Sequence, residues 1–146
     1  MSLNIEEREA IVRFRIEKSY RTLEEAKGNV TLKFWPAAAN RLYYAAYYAV
    51  SALLVANGDA AQTHVGVKGV FGMKFIKSGV VSRKIGELYS ELFSRRMTGD
   101  YDDTYDLQEE DVLPLVEPTE HLIKTISDLA VDILANKTNN KNNVIF

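Results

Sequence analysis

The chain has 146 residues, no cysteine and a formal net charge of −2. This length suits one domain with its own apolar core, and without cysteine there is no disulfide framework, thiol nucleophile or cysteine-rich zinc site. The slightly negative charge disfavours a surface that is basic throughout, so we expect any RNA or nucleotide contact to be confined to a local site. The N-terminal residues lack a signal-peptide layout and no apolar run reaches the roughly 18 residues of a membrane span, so we predict a cytoplasmic protein without membrane contact.

Apolar residues recur three and four positions apart through nearly the whole chain, which predicts helices and no strands. The first helix is expected over residues 4–28, because Asn4 can cap its beginning and Gly28 can end it. The second is expected to begin at Pro36 and to end near Asn57. Since this second helix is apolar on almost every side, we expect it at the centre of the fold.

Three further helices are expected after the central one. The third covers residues 63–78 and the fourth covers residues 82–97. A loop over residues 99–108 leads to the fifth helix. Pro114 and Pro118 each lack a backbone donor, so this last helix should be kinked or should restart near Pro118.

Short connections make consecutive helices antiparallel neighbours, so the predicted fold is all-α, an up-and-down bundle of four to five helices. Residues 1–135 are expected to form this single domain, and residues 136–146, rich in asparagine and lysine, a disordered tail. In such a bundle the end of the fourth helix shares a pole with the beginning of the third. We therefore expect His64 near residues 96–101, and Arg41 toward the opposite pole.

Arg96 is a charged residue within the apolar stripe of the fourth helix. That stripe comprises Ile85, Leu88, Tyr89, Leu92 and Phe93. A guanidinium keeps its proton, so on this face it must find a carboxylate, a phosphate or water. One interpretation is an ion pair with Asp100, Asp102 or Asp103 near the end of the helix. The other is that Arg96 holds a phosphate, and residue spacing does not decide between them.

The second helix carries a set of polar side chains on one side. They are Asn40, Tyr44, Tyr47 and Ser51, with Arg41 adjoining them. Tyrosines and alanines in such a pattern are usually packing residues, with the hydroxyl groups reaching partners at the rim. The alternative is that these five residues form the wall of a polar or base-stacking cleft.

His64 follows Thr63, a residue suited to capping the third helix. It is either a surface residue or a general acid or base, and it is the one histidine that the bundle could bring near Arg96. The acidic segment over residues 100–111 has no calcium-loop spacing and is interpreted as a solvated loop and helix start. We predict no metal and no other cofactor.

Three segments together suggest a family. NRLYYAAYYAVSALL, THVGVKGVFGMKFIKSG and SRRMTGDYDD resemble, in order and spacing, the HEPN superfamily of higher eukaryote and prokaryote nucleotide-binding domains. The similarity covers residues 6–135 and is closest to the small stand-alone branch with N-R-x-Y-Y-A and R-x-x-x-D-Y motifs. It implies a helical bundle that forms a homodimer with a composite cleft between protomers.

The resemblance also implies an activity. Many HEPN proteins are metal-independent endoribonucleases that act as toxins or in defence, with an arginine followed after four to six residues by a histidine. Here the arginine corresponds to Arg96, and Tyr101 stands where the histidine is expected. A phenol with a pKa near 10 is a poor base at neutral pH, so cleavage would need another proton acceptor, for which His64 is the candidate.

A second role follows from the same resemblance. Such proteins often pair with a small nucleotidyltransferase, and a tyrosine beside the arginine can accept a nucleotidyl group; Tyr101, next to Asp100, would be that tyrosine. We therefore predict a nucleotide- or RNA-binding protein, the HEPN half of a toxin–antitoxin-like pair. The alternative is a metal-independent endoribonuclease that uses Arg96 with His64 or Tyr101, so whether the protein is an enzyme stays open.

Overall fold

The computed structural model describes residues 3–143, with side chains described through residue 137. The helices are α1 (Ile5–Thr31), α2 (Trp35–Ala56), α3 (His64–Phe71), α4 (Arg83–Tyr101), the single-turn α5 (Glu109–Val112) and α6 (Val116–Asn143). A π-helical turn, Gly72–Ile76, continues α3, and a 3-10 turn, Leu113–Leu115, separates α5 from α6. This part of the chain contains no strand, and the all-α prediction is confirmed. Across residues 3–143, no helix combines the length and the apolar character needed to cross a bilayer.

Helices α1, α2, α4 and α6 run alternately up and down. Near the end of α1, Lys27 contacts Glu120 in the first turns of α6 at 3.2 Å, so these two helices are antiparallel. Near the end of α4, Asp100 accepts a 3.0 Å hydrogen bond from Asn40 near the beginning of α2, so these two are antiparallel as well. The predicted up-and-down bundle is confirmed.

The central helix is α2, which packs against α1, α4 and α6. Four of its alanines, Ala45, Ala46, Ala49 and Ala52, are completely buried. Because alanine is small, α1 approaches closely enough for the hydroxyl of buried Ser19 to donate to the Ala45 carbonyl at 2.6 Å. A burial of this kind stabilises the bundle through many small dispersion contacts.

Side-chain caps explain where three helices begin, and two of them, Asn4 and Thr63, were predicted from the sequence. The Asn4 side chain accepts from the Glu7 amide at 2.8 Å at the beginning of α1. Thr63 caps α3 in the same way, and Ser82 accepts from Ile85 at 3.3 Å at the beginning of α4. Each bond satisfies one of the first amides of a helix, which have no partner within it.

The predicted ends are less accurate than the beginnings. Helix α1 continues three residues past Gly28, and α4 continues past residue 97 to Tyr101. The Asp102 amide still donates to the Thr98 carbonyl at 3.1 Å, which completes the last turn of α4. Tyr101 therefore ends a helix, and it does not begin the loop as the sequence suggested.

The two prolines act as expected near the last helix. Pro114 lies in the 3-10 turn, and Pro118 lies in the first turn of α6, where its missing amide costs no hydrogen bond. Helix α6 then runs through Asn143, which places the first part of the predicted tail, residues 136–146, in helical backbone. The end of that predicted tail, residues 144–146, lies outside the described residues.

The expected position of Arg41 is wrong. That expectation treated the third helix as a full layer of the bundle, which would make the second and fourth helices parallel. In the structure α3 is short and begins beside the middle of α2, because residues 57–63 run back along α2. Helix α4 is therefore antiparallel to α2, and Arg41 lies at the same end of the bundle as Asp100.

Candidate functional site

Arg96 lies among polar and aromatic side chains where the end of α4 meets the beginning of α2. Its Nε donates to Asp100 Oδ2 at 3.0 Å, and its Nη2 donates to the phenol oxygens of Tyr44 at 3.1 Å and Tyr101 at 3.5 Å. Only 11 % of the Arg96 side chain is exposed. Of the two interpretations left open above, the ion pair with Asp100 is thus present in the structure, and the phosphate contact stays a prediction.

Three tyrosine rings surround the Arg96 guanidinium. Its Cζ lies 5.6 Å from the ring centroid of Tyr43, 5.3 Å from that of Tyr44 and 5.5 Å from that of Tyr101. At these distances the ring quadrupoles attract the cation in place of water. The rings therefore help to hold a positive charge whose one carboxylate partner among the described residues is Asp100.

A chain of hydrogen bonds joins Asp100 to Arg41. Asp100 Oδ2 accepts from Asn40 Nδ2 at 3.0 Å, and Asn40 Oδ1 accepts from Arg41 Nε at 3.0 Å and Nη2 at 2.8 Å. Arg41 Nη1 also pairs with Glu25 at 3.2 Å, and its Cζ lies 5.3 Å from the Tyr44 ring centroid. The two arginines are therefore linked through one carboxylate and one amide.

His64 is the first residue of α3, and its position depends on a tight cap. Thr63 Oγ1 accepts from the Gly66 amide at 2.9 Å, and a Cβ on Gly66 would lie only 2.8 Å from that oxygen. This cap places His64 Nδ1 2.9 Å from the phenol oxygen of Tyr43. The imidazole also lies 4.6 Å from the Tyr47 ring, centroid to centroid.

The environment of His64 favours its neutral form. Burial first, and then the charge of Arg96, lower the pKa of His64 below its usual value of 6.5. The imidazole is therefore mainly neutral at pH 7 and can accept a proton there. His64 and Arg96 both contact the rings of Tyr43 and Tyr44, so the expected proximity of the histidine to the end of α4 is observed.

Tyr43 is a site residue that the sequence analysis missed. It is completely buried, and this burial raises the pKa of Tyr43 to about 12. The phenol keeps its proton at neutral pH and orients the imidazole of His64 through their hydrogen bond. The tyrosine pair within NRLYYA was a usable signal, but nothing in the local sequence indicated the contact with His64.

The predicted cleft wall divides into two parts. Asn40 contacts Asp100 and Tyr44 contacts Arg96, whereas Arg41 reaches them only through Asn40 and the Tyr44 ring. Half-buried Tyr47 adjoins His64. Ser51 is buried, and its hydroxyl accepts a hydrogen bond from Arg15 Nη1 of α1. Their role as the wall of a cleft stays a prediction.

The acidic segment after α4 is held by its own hydrogen bonds. Asp102 Oδ1 accepts from the hydroxyl and amide of Thr104, both at 2.7 Å, and these bonds lower the pKa of Asp102. Asp111 Oδ2 accepts from the Tyr105 phenol at 2.6 Å, which lowers the pKa of Asp111. In the part of the chain that the structure describes, no three His, Asp or Glu side chains are grouped so that they could hold a metal ion.

Comparison with known protein families gives one decisive match. A family model described as the HEPN domain matches residues 12–129. The chain belongs to the HEPN family. The matched region extends from α1 into α6 and contains His64. It also contains Arg96 with the residues around it, Asp100, Tyr43, Tyr44 and Tyr101, which we call the Arg96 cluster.

Related proteins place this HEPN chain among bacterial and archaeal sequences. A UPF0332 protein of Thermotoga maritima is 34% identical over 127 residues, which cover 87% of this chain and 96% of the relative. A protein of Methanocaldococcus jannaschii named as a candidate toxin is 32% identical over 96 residues, covering 66% of this chain and 65% of the relative. A second candidate toxin of that organism is 28% identical over 119 residues, covering 82% and 88%.

A solved structure shares the fold. The crystal structure of TT1696 from Thermus thermophilus matches with a TM-score of 0.64, covering 84% of this chain and 97% of that one. The two sequences are 18% identical, so the likeness concerns the arrangement of helices alone.

Proposed function

We propose that this HEPN protein binds RNA or a nucleotide, with a phosphate held at Arg96. The observation that carries the proposal is the guanidinium set among three tyrosine rings and opposed by the single carboxylate of Asp100. Aromatic faces beside a cation suit a base stacked next to its phosphate. Within the described residues, the one hydrogen bond of Arg96 Nη1 goes to the sulfur of Met97, at 3.7 Å. Sulfur is a weak acceptor, so this nitrogen retains donors for a phosphate oxygen.

Neighbouring arginines on α4 provide a matched test of this proposal. We expect Arg96→Ala to weaken the binding of a short single-stranded RNA at least about tenfold, because a charge-assisted hydrogen bond contributes about 1.5–3 kcal/mol. Arg95→Ala is the control, since Arg95 pairs with Asp111 and Glu91 outside the Arg96 cluster. Fluorescence anisotropy measures the affinity, and hydrogen exchange should show protection of Tyr101 and its neighbours in the complex.

Two results would contradict these expectations. Equal losses in the Arg96→Ala and Arg95→Ala variants would indicate a general effect of charge. The absence of binding and of protection by the wild-type protein at millimolar nucleotide or RNA would contradict the proposal as a whole.

A second candidate function is metal-independent RNA cleavage, favoured by the neutral His64 beside the Arg96 cluster. In this reaction His64 takes the proton of a ribose 2′-hydroxyl, whose oxygen attacks the adjacent phosphorus. The 5′-oxygen of the next nucleotide leaves and is protonated, and a cyclic phosphate end remains. Arg96 would stabilise the charge that develops on the phosphate oxygens.

An RNA-cleavage assay in EDTA separates the two candidate functions. If the protein is a ribonuclease, it forms cyclic phosphate ends in the chelator, and both His64→Ala and Arg96→Ala abolish this activity. Cleavage that requires added metal or persists in Arg96→Ala would contradict the ribonuclease hypothesis. The absence of cleavage together with RNA binding would favour the binding function.

We further propose a pairing with a small nucleotidyltransferase, supported by the family and by relatives named as candidate toxins. Tyr101 is 64% exposed, and its phenol lies 3.5 Å from Arg96 Nη2. In the transfer step the phenol oxygen attacks the α-phosphorus of a nucleoside triphosphate, pyrophosphate leaves, and the phenol proton passes to solvent. Intact-mass analysis of protein from its own cells should show an added nucleoside monophosphate that Tyr101→Phe removes and Tyr105→Phe, at another exposed tyrosine, retains.

A further inference from the structure

A second aromatic and basic surface lies on the side of α2 that faces α1. It consists of Phe14, Arg15 and Lys18 of α1 with Tyr48 of α2, and we refer to these four residues as the α1 shelf. We propose that the α1 shelf binds the nucleotides of a single-stranded RNA that flank the phosphate at Arg96. This inference rests on the proposed function and specifies an oligonucleotide, longer than a mononucleotide, as the ligand.

The α1 shelf combines one exposed ring, that of Phe14, and one half-buried ring, that of Tyr48, with a positive charge held above them. Lys18 Nζ lies 4.6 Å from the ring centroid of Tyr48 and 6.0 Å from that of Phe14. The Phe14 side chain is 56% exposed, although it is among the most apolar in the chain. An exposed aromatic side chain next to an ammonium group offers apolar surface on which a base can stack and an ionic contact for its phosphate.

The two cations of the α1 shelf are not neutralised. Within the described residues, neither Arg15 nor Lys18 forms an ion pair with a carboxylate, whereas nearby Arg13 pairs with Glu9 at 3.0 Å. Arg15 donates to the uncharged hydroxyl of Ser51. In a chain whose net charge is negative, these two charges form a local positive site of the kind that attracts phosphates.

A continuous series of rings connects the α1 shelf with the Arg96 cluster. The Tyr48 ring lies 6.1 Å from that of Tyr44 and 5.8 Å from that of Tyr47, centroid to centroid. Tyr44 contacts Arg96, and Tyr47 contacts His64. At about 1.5 Å per residue, α2 advances about 12 Å from Asn40 to Tyr48, a length that suits several nucleotides better than one.

Two ligands of different length test the inference. The full chain is titrated in EDTA with the dinucleotide UpU and with a random-sequence single-stranded RNA of about twelve nucleotides, within the site sizes typical of such proteins. The shelf variant is Phe14→Ser with Lys18→Gln. The control variant is Val80→Ser with Lys84→Gln. It changes an exposed valine and an exposed lysine that has no ion pair among the described residues, both outside α1 and α2.

We expect the shelf variant to bind the longer RNA about tenfold more weakly and to bind UpU unchanged, while the control variant binds both as the wild type does. The slope of log K against log salt for the longer RNA should also become shallower by about 0.7, the value for one phosphate contact to a single strand. A purely structural role of Phe14 and Lys18 would not change this slope.

The remaining outcomes each overturn the inference. Unchanged binding of the longer RNA would refute the α1 shelf and leave the proposed function intact. Equal weakening of both ligands would mean that the substitutions disturb the Arg96 cluster. If the wild-type protein binds neither ligand, the proposed function is refuted as well. If light scattering gives a lower mass for the shelf variant than for the wild type, the surface is instead an interface between copies of this chain.

Discussion

Asp100 determines how much of the Arg96 charge remains for a ligand. Its carboxylate accepts from both Arg96 and Asn40, and a quarter of its side chain is exposed. A phosphate that contacts Arg96 would therefore be repelled by the nearby carboxylate of Asp100. The ion pair and the phosphate contact, which the sequence left as alternatives, compete for the same guanidinium.

Removing the negative charge of Asp100 should strengthen the binding of RNA at Arg96. We predict that Asp100→Asn strengthens binding of a short RNA about fivefold, since a partly exposed charge interaction contributes about 1 kcal/mol. The amide oxygen of the variant can still accept from Arg96, so the geometry should persist. Calorimetric titration measures the affinity, with Asp103→Asn as the control for net charge; weaker binding by Asp100→Asn would contradict the competition.

The lowered pKa of His64 makes stability depend on pH in a defined direction. Below about pH 6.5 the unfolded chain binds a proton at this residue more readily than the folded chain does, so the folded state loses stability as the pH falls through the folded-state pKa. Above that window the imidazole is neutral in both states, and its contribution no longer changes with pH.

We predict that His64→Gln flattens the dependence of the free energy of unfolding on pH below about 6.5. Urea denaturation at several pH values measures it, and His121→Gln, at an exposed position of α6, serves as the control. The same pH dependence in the His64→Gln variant and the wild type would show that another group titrates in this window.

At the scale of elements, the last turn of α4 positions the site through Gly99. A Cβ on Gly99 would lie 3.0 Å from Leu107 Cδ1 and 3.4 Å from Pro36 Cα. Leu107 is buried, and the contact at Pro36 is with its backbone, so neither residue can easily move away from an added Cβ. The absence of a side chain at Gly99 thus allows the end of α4 to pack against the beginning of α2 and to bring Asp100 to Asn40.

Gly99→Ala should therefore destabilise the protein by about 1 kcal/mol, because overpacking of about 1–3 kcal/mol outweighs a gain in helix propensity of about 1 kcal/mol. Gly28→Ala is the matched control in α1, where no atom lies within 4 Å of the added Cβ, and it should be stabilising. Urea denaturation compares the two variants. A stabilising Gly99→Ala would show that α4 and α2 separate at little cost.

For the molecule as a whole, we propose a homodimer that brings the Arg96 clusters of two protomers to a shared cleft. One exposed aromatic side chain belongs to the cluster, and two exposed apolar side chains directly follow Arg96 and His64 in the chain. They belong to Val65, at 73% exposure, Tyr101, at 64%, and Met97, at 38%. Covering such a rim with a second copy would remove apolar surface from water.

Light scattering at micromolar concentration should give twice the 16.5 kDa mass of the chain. We predict that Val65→Glu shifts this equilibrium toward the monomer, because a charge would be buried in the interface. Val80→Glu, at another exposed valine, should leave the mass unchanged. A wild-type protein with the mass of one chain would contradict the homodimer.

The sequence by itself determined where most helices lie and that Arg96 needs a polar partner. These features depend on the spacing of apolar residues, on capping residues and on the cost of burying a charge, all of which are local. The spacing of apolar residues predicted the helices, and Asn4, Thr63 and Ser82 predicted three of their beginnings. The apolar stripe of α4 predicted that Arg96 needs a carboxylate, a phosphate or water, and the spacing did not decide between them.

Only the tertiary structure decided how the elements meet. The return of residues 57–63 along α2 brings His64 to Tyr43, and the short α3 sets the direction of α4, which places Arg96 at the end of the bundle where Arg41 lies. Asn40 on α2 donates to Asp100, the carboxylate that also pairs with Arg96 four residues earlier in the same helix. Such contacts join residues far apart in the chain, and their geometry depends on the packing of whole helices, which local residue spacing does not specify.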